Sequence, residues 1–392
     1  MHPRKVVDLV IVGGGIAGLW LANLFVQRGY SLLLLEAHTL GGGQTLASQG
    51  MIHGGLKYSL DGNLSPATAA IAHMPARWRA CLAGSGELDL RALTPLCQRY
   101  FLFAQGSLED RLTAFFASKL MRGRIDKLTA ADYPAVFQRT DFTGTVYGVD
   151  DLVIDTAALV RLLRGNVAGH IYRHALQADD VALQDDHVTL TLGEHRITAR
   201  QLVLCAGAGN GPLLGALAIP SPRMQLRGLH QAMVFHQHTD PMYAHCLTGL
   251  RGSQPRLTIT THARSDPRSN QQVWYLGGQL AEDGVSLNEQ ALAEQAREEL
   301  RACVGWLNWD DAKVRGLRID RAEPLRDDGG RPDDPFVEAH GPVLTCWPVK
   351  LSLAPALGDA AAALLAAPVQ PSARISLDGM AAAPVGQVPW EH

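Results

Sequence analysis

Cysteine is scarce in this chain: six residues in 392, none in a C-x-x-C pair and none at a paired spacing. That excludes a disulfide framework and a thiolate zinc site, and it points to reduced thiols in a cytoplasmic setting. Neither sign of charge dominates, since 35 basic against 38 acidic residues leave a formal net charge of −3. There is no basic field to attract nucleic acid, so a small molecule is the expected partner. Long apolar runs are missing too. The nearest approach, Val6 to Val26, is interrupted by Asp8, Asn23 and several glycines, and it falls short of the roughly 18 uninterrupted residues a membrane span needs. His2, Arg4 and Lys5 ahead of it suggest a signal peptide, but glycine spacing accounts for the same residues better. No transmembrane segment is expected, while peripheral contact with a membrane stays open.

What is present is ordinary globular material, 47% hydrophobic and 19% charged, enough for two packed cores. Val6 to Val12 reads as a buried strand, Gly13 to Gly18 as a tight turn, Leu19 to Arg28 as a helix and Ser31 to Glu36 as a second strand. In this βαβ opening, Gly13-x-Gly15-x-x-Gly18 allows in turn a tight bend, close approach of backbone to a pyrophosphate, and close helix-to-strand packing. Ile16 and Ala17 bring helix-terminal N–H groups to the same place. Glu36, with Ala37 beside it, ends the second strand where a carboxylate accepts hydrogen bonds from ribose hydroxyls and disfavours a 2′-phosphate. FAD and NAD both fit such a site.

Further along, helices are expected at 67–82, from Ser107 through Leu120, and from a cap at Asp155 to about Ala168. A hairpin of 187–192 and 196–204 ends in VLCAGAG. Stretches 227–238, 256–263 and 273–280 alternate like an antiparallel sheet, and a charged helix spans about 288–306. An apolar strand at 342–357 and a short alanine-rich helix follow, then a Pro/Gly/Ala-rich tail past Pro368 expected to be poorly ordered.

At Ala206 and Gly207 the VLCAGAG stretch resembles the second nucleotide-contacting strand of FAD-dependent oxidoreductases, and no second GxGxxG exists for a separate NAD(P)H domain. SQGMIHGGLKY, residues 48–58, resembles the IHGGLRY segment of FAD-dependent glycerol-3-phosphate dehydrogenases and the SGVIHxGxYY segment of L-2-hydroxyglutarate dehydrogenases. Both families have the D-amino-acid oxidase (DAO) type of fold. The resemblance covers most of the chain in scattered blocks. It implies FAD as cofactor and an α/β fold, in which a Rossmann-like FAD-binding domain is interleaved with an antiparallel-sheet α+β substrate domain. The expected division assigns 1–72, 142–222 and 336–368 to the FAD-binding domain, 73–141 to a cap segment, 223–335 to the substrate domain and 369–392 to a tail.

The same resemblance implies roles. Thr45, Ser48, Gln49 and Gly50 fall beside the FAD pyrophosphate and ring, His53 to Gly55 under the isoalloxazine, and Lys57 and Tyr58 on the substrate. RGLHQAMV at 227–234 resembles (K/R)GSHIVVP of the dehydrogenases and puts His230 over the flavin as a base, where an unperturbed pKa near ~6.5 suits proton removal. WPVKLSLAP at 347–355 resembles GGKLTTYR and puts Lys350, Leu351 and Ser352 near the flavin pyrimidine. His230, Lys350 and His53 are thus the expected catalytic residues. One departure stands out: RIDRAEPL at 318–325 has Glu323 where the dehydrogenases have the phosphate-holding arginine of RPL, with Arg321 two residues earlier on the same strand face. No metal is expected, because His236-x-His238 lacks a placed third ligand.

The implied reaction is removal of hydride from a CH–OH or CH–NH carbon of a small polar substrate to flavin N5. Candidate substrates are 2-hydroxy acids, amino acids and glycerol-phosphate-like molecules, and electrons leave to oxygen, a quinone or an electron-transfer protein. The alternatives are a flavin monooxygenase using NAD(P)H and a flavoprotein with a non-redox or RNA-modification role.

Overall fold

A computed structural model describes residues 5–55, 71–105, 125–247, 255–264, 271–327, 330, 332–369 and 375–391. The opening strand Lys5–Val12 pairs in parallel with Leu32–Glu36 on one side and His195–Leu204 on the other. Both faces of these strands are covered, which is why VVDLVIV and LLLLE read as continuous apolar runs. Val343–Trp347 extends the sheet in parallel, Phe336–His340 closes that edge antiparallel, and Ile171–Arg173 closes the other. The helix Ile16–Gln27 is apolar all round because it is wedged beside helices Thr156–Asn166 and Ala354–Leu364. Asp155 caps the second of these as expected, accepting from the Ala158 N–H at 2.9 Å.

A second eight-stranded sheet runs Lys313–Pro324, Met224–His236, Gln272–Gly277, Leu257–Ala263, Ala244–Cys246, Tyr100–Ala104, Thr145–Val149, Ile125–Lys127. One face is covered by the helix Glu289–Cys303, whose Leu292, Ala296, Leu300 and Cys303 pack with Ala232, Val234, Trp274 and Leu276. The opposite face meets the first half of the molecule, where Met233, Phe235, Val273 and Tyr275 join Leu46 and Ile52 in one core. Along 224–236, then, even-numbered side chains go to the helix and odd-numbered ones to the nucleotide half.

Several boundaries move. The first helix begins at Ile16, so Gly18 lies inside it. The apolar run after 342 is strand only to Trp347, because Pro348 ends the ladder. Strand 145–149 belongs to the second sheet, so the return to the first half comes after it rather than at residue 142. The helix expected from Ser107 lies outside the described residues. The tail is the main correction. Val385 bridges Leu40, the Leu40 N–H donates to Pro384 O at 2.8 Å, and the Gly386 N–H donates to Leu40 O at 3.0 Å. Arg173 N–H donates to Ala381 O at 2.8 Å, and His195 Nε2 lies 2.9 Å from Asp378 O. Buried Leu377, Ala383, Val388 and Trp390 offset the entropy of ordering residues 375–391.

Candidate active site

The glycine loop sits at the carboxyl end of the central strand, where open α/β sheets take their ligands. Gly13 has φ +105, and a Cβ there would meet Cys205 O at 2.5 Å; a Cβ on Gly18 would meet Gly13 O at 1.9 Å. Both positions are closed by protein. At Gly15 the only neighbour of a Cβ among the described residues is Thr45 Oγ1 at 3.3 Å, so the position beside the helix start is not closed by the protein as Gly13 and Gly18 are. Ile16 N–H donates to Thr45 Oγ1 at 2.9 Å, while the Ala17 and Gly18 N–H groups have no intrahelical acceptor in the first turn. Glu36 accepts from Gly14 N–H at 2.6 Å and His38 N–H at 2.8 Å, which fixes its carboxylate at the mouth of this space, with half-buried Ala37 next to it. Ala206 N–H is held by Asn210 Oδ1 at 2.7 Å, and Trp347 Nε1 donates to Gly207 O at 3.1 Å, bringing the second glycine-rich turn alongside.

From there the chain runs through residues 45–55 toward the second sheet. Ser48 Oγ donates to Thr45 O at 2.9 Å. Gln49 Nε2 reaches Tyr275 O at 2.7 Å and Thr258 O at 3.1 Å, so its amide bolts this loop to the sheet. Gly50, at φ +72, lies so near strand 152–153 that a Cβ would meet Ile154 O at 2.1 Å. Ser352 Oγ accepts from the His53 N–H at 3.1 Å and donates to Met51 O at 3.2 Å, while Trp78 Nε1 donates to Ser352 O; Leu351 is half-buried beside it. The turn His53–Gly55 is set by the further bond of Gly54 N–H to Asp151 Oδ1 at 2.8 Å, while Gly55 N–H makes a long contact with His53 Nδ1 at 3.3 Å. Asp151 was not singled out in the sequence, since no local motif surrounds it. Lys57 and Tyr58 lie outside the described residues.

The model for FAD dependent oxidoreductases matches residues 8–364. This chain belongs to the FAD-dependent oxidoreductase family. It is 42% identical over 386 residues to a probable FAD-dependent oxidoreductase of Pseudomonas aeruginosa, covering 98% of this chain and 97% of that one. The crystal structure of an FAD dependent oxidoreductase from Pseudomonas aeruginosa aligns with a TM-score of 0.82 at 35% identity, over 100% of this chain and 99% of that one. Glycine oxidase from Geobacillus kaustophilus (TM-score 0.65, 16% identity, 94% and 96% coverage) shares the fold, as does L-alpha-glycerophosphate oxidase from Mycoplasma pneumoniae with FAD bound (0.63, 14%, 92% and 95%). The cofactor of this oxidoreductase is FAD, and the position at Gly15, beside the first-turn N–H groups of the helix, fits its pyrophosphate. Among the described residues no helix is long and apolar enough to cross a membrane.

On the second sheet the geometry corrects the placement of His230. It is even-numbered on strand 224–236 and turns to the helix-covered face, 3% exposed, with Nδ1 3.0 Å from Gly284 O. Its Nε2 lies against Gly316, where a Cβ would meet it at 2.4 Å. His230 therefore faces away from the loop 45–55. The neighbours that do face it are Gln231 and Tyr275, whose hydroxyl lies 2.7 Å from Ala47 O and 2.8 Å from Gln231 Oε1. Glu323, 2% exposed, takes Arg227 Nε at 2.8 Å and Nη2 at 2.7 Å on a single oxygen, and Arg321 Nε lies 3.5 Å from Arg227 O. Arg227 stood in the RGLHQAMV block but was not singled out, because the register that sets it diagonal to Glu323 belongs to the paired strands and not to either local sequence. Lys350 is buried with its ammonium toward Asp333, 3.2 Å from the carbonyl and 3.4 Å from Oδ1. Its N–H donates to Pro348 O at 2.6 Å across Val349, held at φ +63, a γ-turn rarely formed by a β-branched residue.

Two buried histidines set an acid limit on stability. Burial pushes His236, with help from His238 nearby, and His262 down to about 3 from 6.5. The folded value is the lower one, so the unfolded chain takes up protons first as pH falls. Stability contributed by these neutral rings is complete above pH 6.5 and is lost as pH falls toward 3. The melting temperature is expected to drop across this window, and His262→Gln to flatten part of the slope. An unchanged slope in that variant would remove His262 from the account.

Proposed function

We propose that the protein oxidises a small carboxylate-bearing substrate, a 2-hydroxy or amino acid, at the carbon carrying its hydroxyl or amino group. The carboxylate preference is carried by Glu323. In the dehydrogenases that the sequence resembles, an arginine at this position holds phosphate; here a buried carboxylate holds Arg227 from the next strand. Glu323 takes up the charge of Arg227 in this ion pair, so the guanidinium that could meet a phosphate dianion is already matched by a carboxylate, which suits a singly charged substrate group better. A like charge near ~4 Å at an effective dielectric of about 20 costs roughly 4 kcal/mol. The substrate class is a reading of this cluster, and both glycine oxidase and glycerophosphate oxidase share the fold.

FAD, when bound, accepts the hydride. In this reading Gly13 and Gly18 allow the tight turn and close packing that set the loop, Gly15, Ile16, Ala17 and Thr45 border the pyrophosphate, Glu36 the ribose, and Ser48 to Gly50, Ala206, Gly207 and Leu351 to Ser352 the rest. His53 takes the substrate proton. Transfer to Nε2 needs the ring hydrogen on Nδ1, which gives up the contact with Gly55; at 3.3 Å that contact is at the long limit and constrains little. Ser352 and Asp151 keep the turn in place while the ring acts. Lys350 supplies positive charge at the same junction, balanced by Asp333.

Anaerobic mixing with 2-hydroxy acids, amino acids, secondary amines and glycerol-3-phosphate, followed by loss of visible flavin absorbance, tests the proposal. A carboxylate substrate is expected to reduce the flavin with an efficiency at least ~10²-fold above that of glycerol-3-phosphate. Glu323→Gln, which removes the charge and keeps the shape, is expected to narrow the gap by about tenfold. Efficient reduction by glycerol-3-phosphate in the wild-type protein, with no gain in Glu323→Gln, overturns the carboxylate reading.

A further inference from the structure

The docked tail ends against the second sheet. The Trp390 indole lies 4.2 Å from the His262 ring with a 30° tilt and 5.8 Å from the Tyr275 ring, and it is 4% exposed. His262 Nε2 lies 3.0 Å from Thr260 Oγ1, and Gln49 Nε2 reaches the same oxygen at 3.4 Å. Gln49 also bonds Tyr275 O and Thr258 O, and the Tyr275 hydroxyl reaches Ala47 O. A continuous set of contacts thus joins Trp390, through His262, Thr260 and Tyr275, to residues 47–49. The same tail grips the other end of that loop. Leu40 is bonded on both sides by Pro384 and Gly386, and a Cβ on Gly386 would meet Thr39 Oγ1 at 2.9 Å and Leu46 Cδ1 at 3.0 Å.

We infer that residues 375–391 form a strap that positions loop 45–50 between the two sheets, with Trp390 as its anchor, and so sets how tightly FAD is held. Trp390, His262 and Gln49 are positioning residues. The stack is well made for the purpose. A buried, neutral His262 presents a flat face to the indole while its Nε2 stays engaged with Thr260, so the ring has one orientation available. Bonds to Leu40 upstream and the stack on His262 downstream hold the loop at both of its ends, which limits the motion by which a bound dinucleotide would leave.

The inference rests on the reading that loop 45–50 borders FAD, so the experiment carries a control for that reading. Holoenzyme is prepared as wild type, Trp390→Ala, Trp390→Phe and Thr45→Ala, and FAD release is followed by flavin fluorescence, the bound spectrum by visible absorbance. Trp390→Ala is expected to raise the Kd for FAD by about tenfold and shift the resolved flavin band, with Trp390→Phe restoring most of both. Thr45→Ala is expected to weaken FAD as well. If Trp390→Ala fails to fold, His262→Gln, which keeps a partner for Thr260 and loses the stack, carries the same expectation. Wild-type affinity and spectrum in the Trp390 or His262 variant, alongside weakened binding in Thr45→Ala, overturns the strap. Equal loss of apoprotein and holoenzyme stability without spectral change or rescue by phenylalanine also overturns it, since Trp390 is then only core. Unchanged FAD affinity in Thr45→Ala instead overturns the placement of the loop.

Discussion

Gly15→Val is expected to give folded protein that purifies without FAD. Gly15 caps the first helix at φ −74 and ψ −173, extended backbone that any residue adopts. The protein itself offers little resistance to a side chain there, because a Cβ meets only Thr45 Oγ1 at 3.3 Å. A valine would instead reach into the space beside the first-turn N–H groups, where the proposed reading puts the pyrophosphate. Loss of the cofactor with little loss of fold is the result that separates a binding role from a packing one. The contrast is Gly18→Ala, whose Cβ would lie 1.9 Å from Gly13 O and must displace backbone. The ratio of visible to ultraviolet absorbance, read beside far-UV circular dichroism, distinguishes the two. A well-folded Gly15→Val with stoichiometric FAD would falsify the placement.

His53→Ala is expected to slow flavin reduction by at least ~10²-fold, the range for loss of a positioned proton acceptor, with FAD content unchanged. The backbone bonds that shape the turn, His53 N–H to Ser352 Oγ and Gly54 N–H to Asp151, do not involve the imidazole and survive the substitution. Stopped-flow reduction under anaerobic conditions is the measurement. Substrate chemistry gives a second check. An amine enters with its own lone pair and loses less on removal of His53 than a hydroxy acid does, so the ratio of the two losses reports which proton the imidazole handles. Wild-type reduction rates with both classes would leave His53 as a structural element of the turn.

Much of this architecture was legible in the sequence because local rules and global fold agree. The glycine spacing, the continuous apolar strands 5–12 and 32–36 and the cap at Asp155 are each short-range signals. His230 was misplaced for a reason that local pattern does not cure. Both faces of strand 224–236 are buried at that end, so alternation tells that side chains alternate but not which set meets the nucleotide half. The tail was misread because Pro, Gly and Ala neither alternate nor repeat at helical spacing, and its order comes from bonds to Leu40, Arg173 and His195 that no local window contains. Only the 321–323 end of strand 313–324 was read as strand; the rest is masked by its charges, of which Arg315 lies over the Phe235 ring and Arg318 donates to Val285 O. At Lys350 the residue type was legible and its surroundings were not, since the turn at Val349 and the approach of Asp333 come from tertiary packing.

The interleaving of the two sheets decides how the chain must reach its fold. Strand 195–204 is needed on one side of strand 5–12, and strand 343–347 is needed beside strand 195–204, while most of the second sheet is strung between them. Parallel pairings of such sequence separation form slowly, because long loops must close before any pairing energy is gained. Until strand 343–347 arrives, the aliphatic end Leu202–Leu204 of strand 195–204 presents an unpaired parallel edge to other unfinished copies. Neither sheet is therefore an autonomous folding unit. Recovery of native protein becomes a contest between slow intramolecular pairing and fast intermolecular pairing, which tilts toward aggregation as the concentration of newly made chains rises.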